Sequence, residues 1–234
     1  MSRFDIGNGS IWLGDCLELM KQIPDGSVDC VVTDPPYKVI SGGTAHGDKL
    51  GFGWEQSVLK GNNGKIFKHN NVSITAFMTE FYRILKDGTH CYVMINNKNL
   101  RELLNVADKI GFGFHNLLDW KKNNATANRW YMKDKELCLL FYKKPAKRIN
   151  DCGSKSSFPF DNPRNKAHPT EKPVELMQYY IENSSQPGDL ILDPFSGSGA
   201  TAVAAERSGR RWIAIEKDPE YYIKSVGRLC GETL

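Results

Sequence analysis

A short apolar run that stops at two prolines constrains the fold of this chain more than any other stretch. Val28–Thr33 follows the turn Asp25-Gly26 and leads directly into Asp34-Pro35-Pro36-Tyr37. The run predicts a buried strand, and the prolines end it because they fix φ and lack an N–H donor. Open α/β sheets carry their active sites at the carboxyl ends of strands, so this corner is a candidate site. An ordinary strand-ending turn is the alternative.

The alternation of apolar runs with amphipathic segments predicts an α/β fold. Helices are expected near residues 16–22, 73–85, 100–110, 173–183, 200–207 and 219–229, and strands are expected to begin near residues 11, 28, 90, 114, 136, 190 and 211. No helix separates 114–120 from 137–142, which predicts a terminal β-hairpin with an enlarged tip. We expect one domain, 1–234, with a seven-stranded, mostly parallel sheet and helices on both faces.

Two long segments interrupt this pattern. Residues 38–72 are rich in Gly, Asn and Lys and lack apolar periodicity, which is typical of a functional loop insertion. Residues 121–172 hold 13 Lys and Arg against 5 Asp and Glu, although the whole chain has a net charge of only +4. A basic segment on a mildly acidic body indicates a polyanionic partner, and a solvated lysine-rich face is the alternative.

Composition argues against several other classes of protein. No apolar run reaches the roughly 18 to 20 residues of a membrane span, and the first residues do not resemble a secretory signal. A cytoplasmic location without membrane association is therefore expected. The six cysteines form no Cys-x-x-Cys pair, and several lie in apolar strand patterns. This favours reduced core thiols, so no metal site is predicted.

A second motif joins a strand to a helix in the last quarter of the chain. Its sequence is Leu192-Asp193-Pro194-Phe195-Ser196-Gly197-Ser198-Gly199, and Glu216 ends the next strand 17 residues later. Glycines at such a junction let a ligand approach the backbone, and an acidic residue at the next strand end accepts hydrogen bonds from ribose hydroxyls. The unit predicts a nucleoside-binding site. We expect the strand that ends at Leu192 beside the one that ends at Thr33, so that both motifs share a cleft.

Together the two motifs resemble those of the amino-methylating DNA methyltransferases that use S-adenosylmethionine. In that family the first motif is catalytic and the second binds the cofactor. His168-Pro169-Thr170-Glu171-Lys172-Pro173 is similar to the stretch before the family's cofactor-side helix, and Gly14-Asp15 to its adenine-contacting strand end. The order of the motifs resembles the β-type permutation. It implies a Rossmann-like methyltransferase fold, circularly permuted with the catalytic half first.

The resemblance implies the catalytic roles. Asp34 and the carbonyl of Pro35 would accept the two hydrogens of the target amine, at a corner stiffened by Pro36. Tyr37 would stack on a base that has been flipped out of the duplex. This chemistry needs no covalent enzyme intermediate, so no cysteine is assigned as a nucleophile.

The resemblance also implies how the cofactor is held. Glu216 would bind the ribose hydroxyls and Asp15 the adenine amino group, while Thr170 and Lys172 would lie near the methionine carboxylate. The full implied cofactor-binding set is Asp15, Cys16, Thr170, Lys172, Asp193, Phe195, Ser196, Gly197, Ser198, Gly199 and Glu216.

Double-stranded DNA is the implied macromolecular partner, and residues 121–165 are the expected recognition region. This hairpin tip and linker would supply phosphate contacts, amides for base edges and an aromatic wedge. The residues assigned to DNA are Lys121, Lys122, Asn123, Asn124, Arg129, Trp130 and Lys133. A homodimer is one assembly that we consider.

Three alternatives to N6-adenine methylation stay open at this point. Aspartate rather than serine at the start of the catalytic motif favours adenine in the family, with N4-cytosine methylation as the nearest rival. A nicotinamide-dependent oxidoreductase would use the same glycines but would leave Asp34-Pro35-Pro36-Tyr37 without a role. A catalytically inactive DNA-binding relic would keep the fold without the reaction.

Overall fold

A computed structural model describes residues 2–36, 72–126, 131–163 and 171–233. In chain order its strands are β1 (Ser2–Ile6), β2 (Gly9–Leu13), β3 (Val28–Thr33), β4 (Leu85–Ile95), β5 (Gly113–Thr126), β6 (Lys133–Tyr142), β7 (Ser157–Phe158), β8 (Leu190–Asp193) and β9 (Arg211–Glu216). Its helices are α1 (Cys16–Met20), α2 (Ile74–Ile84), α3 (Leu100–Ile110), α4 (Val174–Ser184), α5 (Ala200–Arg207) and α6 (Pro219–Thr233). Within these segments no helix is both long and apolar enough to cross a bilayer.

The described strands form one sheet in the order β1-β2-β9-β8-β3-β4-β6-β5-β7. The run from β2 to β4 is parallel, whereas β1 pairs antiparallel with β2, and β6 pairs antiparallel with both β4 and β5. All seven predicted strands are present, and β5 with β6 is the predicted hairpin. The sheet has two more strands than predicted, because the exposed β1 and the two-residue β7 pair at its edges without a buried apolar run.

Alternate residues of the central strands pack into two separate cores. In β3, Cys30 and Val32 belong to the core that also holds buried side chains of α4, α5 and α6, whereas Val31 belongs to the core of α1, α2 and α3. In β2, Ile11 and Trp12 divide in the same way. Successive strand residues point to opposite faces, so the sheet is covered by helices on both sides, as predicted.

Local signals set the helix ends. Ser73 caps α2 by accepting from the backbone N–H of Ala76 at 3.4 Å, and α3 ends at Gly111 with φ of 111°. Asp218 accepts from the backbone N–H of Glu220 at 2.8 Å, and Pro219 occupies the first helical position of α6. These capping residues explain why the predicted helices agree closely with the observed ones.

Strand β8 lies beside β3, as the shared-cleft argument requires. The parallel pairing matches Cys30 with Ile191 and Val31 with Leu192. Both strands therefore end at the same edge of the sheet. The predicted proximity of the two motifs is confirmed.

Two element boundaries differ from the predictions. Strand β4 begins at Leu85 rather than near residue 90, because the chain passes directly from α2 into the sheet. The hairpin strands are also longer than predicted, so 121–124 and Lys133 lie within strands instead of the tip. Ion pairs stabilise this polar extension, for example Lys135 Nζ with Asp119 Oδ2 at 2.9 Å.

Candidate active site

A cleft of about 970 Å³ opens at the carboxyl edge of β3, β8 and β9. It brings together 14 of the residues predicted for the site, from both motifs and from the hairpin: Asp15, Cys16, Asp34, Pro35, Pro36, Lys122, Lys133, Lys172, Asp193, Phe195, Ser196, Gly197, Ser198 and Glu216. Lys121, Asn123, Asn124 and Gly199 do not line the cleft. Tyr37, Arg129, Trp130 and Thr170 lie outside the described residues, as does nearly all of the 38–72 insertion.

A buried hydrogen bond joins the two motifs. The Thr33 hydroxyl donates to Asp193 Oδ1 at 2.6 Å, and the backbone N–H of Phe195 donates to the same oxygen at 3.1 Å. Thr33 and Asp193 are both buried, and this burial raises the pKa of Asp193 to about 6. Asp193 therefore links the second motif by a hydrogen bond to β3, the strand that leads into the first motif.

Asp34 forms an ion pair at the corner after β3. Its Oδ2 accepts from Lys172 Nζ, which also lies 3.2 Å from Glu136 Oε2. Burial disfavours the charged form of Lys172, but the carboxylates of Asp34 and Glu136 outweigh it and hold the pKa of Lys172 above its usual value. Lys172 thus stays protonated beside Asp34. Its predicted contact with a methionine carboxylate stays a prediction.

Hydrogen bonds of its backbone hold the glycine-containing loop after β8 close to β9 and α6. Gly197 and Gly199 have φ of 53° and 80°, in the left-handed region that glycine adopts without strain. The backbone N–H of Gly197 donates to Glu216 Oε2 at 2.8 Å, and its carbonyl accepts from the Ser225 hydroxyl at 2.8 Å. A Cβ at Gly199 would lie 3.2 Å from the Ser225 hydroxyl oxygen. The loop therefore approaches both β9 and α6.

Glu216 lines the cleft at the end of β9. Its Oε1 accepts from the backbone N–H of Asp218 at 2.8 Å, while Oε2 accepts from Gly197. Burial raises the pKa of Glu216 to about 7, although these backbone donors oppose the shift. A carboxylate has about four acceptor positions, so these backbone donors leave capacity to accept from a hydroxyl.

Asp15 has a structural role as well as a place in the cleft. It caps α1 by accepting from the backbone N–H of Leu17 at 2.9 Å, and its other oxygen lies 3.0 Å from Lys217 Nζ. The predicted adenine contact stays a prediction. The neighbouring Cys16 is buried, and burial raises the pKa of its thiol to about 12, so a thiolate nucleophile is unfavourable there.

The hairpin residues assigned to DNA divide into two groups. Lys122 forms an ion pair with Glu136 and lies 5.2 Å from the centre of the Trp120 ring. Asn123 and Asn124 contact the segment after β7: the Asn123 amide donates to Asp161 at 3.3 Å, and Asn124 Oδ1 accepts from Asn162 at 2.6 Å. Lys121, Asn123 and Asn124 are exposed, whereas Lys122 is half-buried.

Several residues in and around the cleft carry no signal in the sequence and were not predicted. Glu136 is one of four consecutive charged residues at 133–136, so nothing in the sequence separated it from its neighbours. Glu171 and Arg228 form an ion pair at 2.9 Å, and the Arg228 guanidinium also lies 3.3 Å from the carbonyl of Ser198. Arg228 is near the end of α6, so only the fold shows its relation to the loop.

The model of the N6/N4 DNA methylase family matches residues 28–160 and 150–226. The chain belongs to this family. The resemblance inferred from the two motifs is thereby confirmed. This DNA methylase is 29% identical to the type II methyltransferase M.HinfI of Haemophilus influenzae, over 94% of the chain and 68% of that protein. It is also 29% identical to M2.MboI of Moraxella bovis, over 93% of the chain and 86% of that protein.

Solved structures share the fold of this DNA methylase. The M1.HpyAVI complex with S-adenosylmethionine superposes with a TM-score of 0.70 at 24% identity, over 93% of this chain and 98% of that one. The cytosine-N4-specific PvuII DNA methyltransferase gives a TM-score of 0.71 at 21% identity, over 97% and 91%. The predicted methyltransferase fold is confirmed.

Proposed function

We propose that this DNA methylase transfers a methyl group from S-adenosylmethionine to the N6 amine of adenine in double-stranded DNA, after flipping the base out of the duplex. One observation carries the proposal. Strand β3, which leads into Asp34, lies beside β8, which leads into the glycine-containing loop, and the Thr33–Asp193 hydrogen bond joins the two strands at one cleft. An amine and a methyl donor bound there would share a single enclosed space.

The residues of the cleft fit a nucleoside cofactor. The Ser196 hydroxyl is buried and has no hydrogen-bond partner among the described residues, so it is available to a ligand. The Glu216 carboxylate and the Gly197 loop suit a ribose that approaches the backbone. S-adenosylmethionine supplies a methyl group that is already activated on a sulfonium. A structural neighbour of this chain, M1.HpyAVI, was solved with this compound.

Asp34 and the Pro35 carbonyl perform the polar part of the reaction. The lone pair of an adenine amine is delocalised into the ring, so the amine is a poor nucleophile. Acceptors for its two hydrogens favour a tetrahedral nitrogen and stabilise the positive charge that develops there. The Lys172 ammonium keeps one oxygen of Asp34 in a fixed direction. Fixed alignment of reacting groups can contribute up to roughly 7 to 11 kcal/mol.

The choice of adenine rests on the aspartate at the start of Asp34-Pro35-Pro36-Tyr37, which is the adenine-favouring form of this family's motif. Tyr37 would stack on the flipped base.

Residues 121–165 would contact the duplex, with Lys121 on a phosphate. We place the enzyme in the cytoplasm, and we consider a homodimer as its assembly. Light scattering of the purified protein would give its mass in solution.

The decisive experiment identifies the methylated nucleoside. Unmethylated duplex DNA is incubated with labelled S-adenosylmethionine, digested, and analysed by mass spectrometry. We expect N6-methyladenine. A product that is N4-methylcytosine would overturn the adenine assignment while leaving the methylase in place, and the absence of label in both bases would favour the inactive relic.

The Asp34 assignment has its own test in the same assay. Asp34→Ala should lower the single-turnover transfer rate by at least about a hundredfold, because it removes an interaction made as charge develops, and should leave cofactor affinity nearly unchanged. The matched control is Asp87→Ala, which removes an exposed carboxylate at 3.3 Å from Lys143 and away from the cleft. Wild-type transfer by Asp34→Ala would refute the role.

A further inference from the structure

Four charged side chains of alternating sign connect the hairpin to the catalytic corner. Lys122 of β5 pairs with Glu136 Oε1 of β6, Glu136 Oε2 lies 3.2 Å from Lys172 Nζ, and Lys172 pairs with Asp34 Oδ2. All four side chains line the cleft. Glu136 therefore uses both carboxylate oxygens to connect the two lysines.

Fold stability alone does not account for this cluster. The Lys172 side chain is only 9% exposed, and taking a charge out of water costs several kcal/mol, which its partners must offset. Replacing buried ion pairs with apolar groups is often neutral or stabilising in other proteins. An apolar residue at 172 could fill the same space before α4. It could not bond the one carboxylate that the proposed reaction requires.

The geometry makes Asp34 depend on Glu136. Lys172 fixes the plane of the Asp34 carboxylate by bonding Oδ2, and so sets the direction in which that carboxylate can accept an amine hydrogen. The Lys172 ammonium is in turn shared between Asp34 and Glu136. Without the charge on Glu136, the Lys172 ammonium would be drawn more strongly to Asp34, and it would compete more strongly with the amine of the base.

We propose that Glu136 is a positioning residue for methyl transfer: it holds Lys172 at the distance from Asp34 that leaves the carboxylate able to accept the target amine, and Lys122 holds Glu136. This inference rests on the proposed function of Asp34, and it applies to an exocyclic amine on either adenine or cytosine. It also means that the hairpin contributes to the catalytic corner as well as to DNA contact.

The test is single-turnover methyl transfer by Glu136→Gln, which keeps the side-chain shape and removes the charge. Cofactor affinity, DNA affinity and thermal midpoint are measured on the same preparations. We expect transfer to slow by roughly tenfold to a hundredfold, because a misplacement of about 1 Å at a reacting centre can cost about a hundredfold. Both affinities should stay within about twofold of wild type. A purely structural role would lower the thermal midpoint and leave the transfer rate unchanged, which would overturn the inference.

The matched control is Asp119→Asn. Asp119 is another carboxylate of the hairpin that pairs with a lysine, at 2.9 Å from Lys135, but it does not line the cleft. The Asp119→Asn variant should transfer methyl groups at the wild-type rate. Equal slowing by Asp119→Asn and Glu136→Gln would overturn the inference. Wild-type protein in the same assay separates the positioning role of Glu136 from the proposed function. If the wild type transferred no methyl groups, the proposed function would be refuted, whatever the Glu136 variant did.

A second variant covers the case in which Glu136→Gln does not fold. Lys122 is 24% exposed at the outer end of the cluster, so Lys122→Gln is the milder change. We expect Lys122→Gln to slow transfer severalfold at saturating DNA. The double variant Lys122→Gln/Glu136→Gln, where it folds, should be no slower than Glu136→Gln alone, since both substitutions act through the Lys172 ammonium. Lys122→Gln with weaker DNA binding and unchanged transfer at saturating DNA would make Lys122 a simple phosphate contact and overturn the inference.

Discussion

Cofactor affinity should depend on pH through Glu216. Burial raises the pKa of this carboxyl to about 7 in the free protein, whereas a donating ribose hydroxyl bonds more strongly to a carboxylate than to a neutral carboxyl. Below pH 7 Glu216 is mostly protonated, and binding must then release a proton. Affinity should therefore fall as the pH falls through 7 and reach a plateau above about pH 8.

The size of the effect follows from the pKa. With a value of about 7, about one molecule in eleven has an ionised Glu216 at pH 6, and about ten in eleven do at pH 8. If only the ionised form binds, the dissociation constant at pH 6 is about tenfold higher than at pH 8. This ratio corresponds to about 1.4 kcal/mol of binding free energy.

Calorimetry with methylthioadenosine is the suitable assay. This ligand has the adenine and ribose but lacks the α-amino group of S-adenosylmethionine, which would titrate as well. Titrations between pH 5.5 and 8.5, in buffers of different ionisation enthalpy, report affinity and proton release together. Glu216→Gln removes the titrating group and keeps one acceptor oxygen, so its affinity should be lower but independent of pH near 7.

Asp193 provides an internal check on the pH dependence, since burial raises its pKa only to about 6. A transition that remains near pH 6 in Glu216→Gln would belong to Asp193. Affinity that is flat between pH 6 and 8 in the wild type would refute the control of cofactor binding by ionisation of Glu216 near pH 7. So would a transition near pH 7 that Glu216→Gln leaves intact.

Two further predictions concern the fold and the DNA surface. Thr33→Val removes the buried donor at 2.6 Å from Asp193 and should lower the free energy of unfolding by about 1 to 3 kcal/mol in urea titrations. Thr33→Ser keeps the hydroxyl and should keep most of the stability. Equal loss in both variants would contradict the hydrogen-bond explanation. Lys121→Ala should reduce the slope of log affinity for duplex DNA against log salt by about 0.9, and an unchanged slope would remove Lys121 from the DNA surface.

The layered fold could be predicted because its signals are local. The period of apolar residues located α3 at 100–110, and the structure has it at Leu100–Ile110. The neighbouring positions of β3 and β8 followed from function, since two motifs that serve one reaction must end at one edge of the sheet. The edge strands β1 and β7 were missed, because Ser2–Ile6 is exposed and Ser157–Phe158 is too short to show a pattern.

The partners of the site residues could not be predicted, because they are distant in the chain. Asp34 and Lys172 are 138 residues apart, and the sequence offers no reason to choose Lys172 over the other lysines as the partner of Asp34. Lys122 illustrates the same limit. Composition assigned it to a basic, DNA-facing tip, whereas the strand pairing of the hairpin turns it toward Glu136 in the cleft. Charge along a sequence indicates a partner class, but the fold decides which charges remain available to it.

The distance between the two motifs depends on the register of two short strands. The pairing of β3 with β8 involves Cys30 with Ile191 and Val31 with Leu192, and the Thr33–Asp193 hydrogen bond lies just beyond it. A slip of one residue would move Asp193 by about 3.3 Å relative to Thr33 and turn every side chain of the slipped strand to the opposite face. That slip would break a buried hydrogen bond and place Leu192 in the wrong core, so it is strongly disfavoured. Because Thr33 and Asp193 meet across two neighbouring strands, the distance between the two motifs does not depend on which of them comes first in the chain.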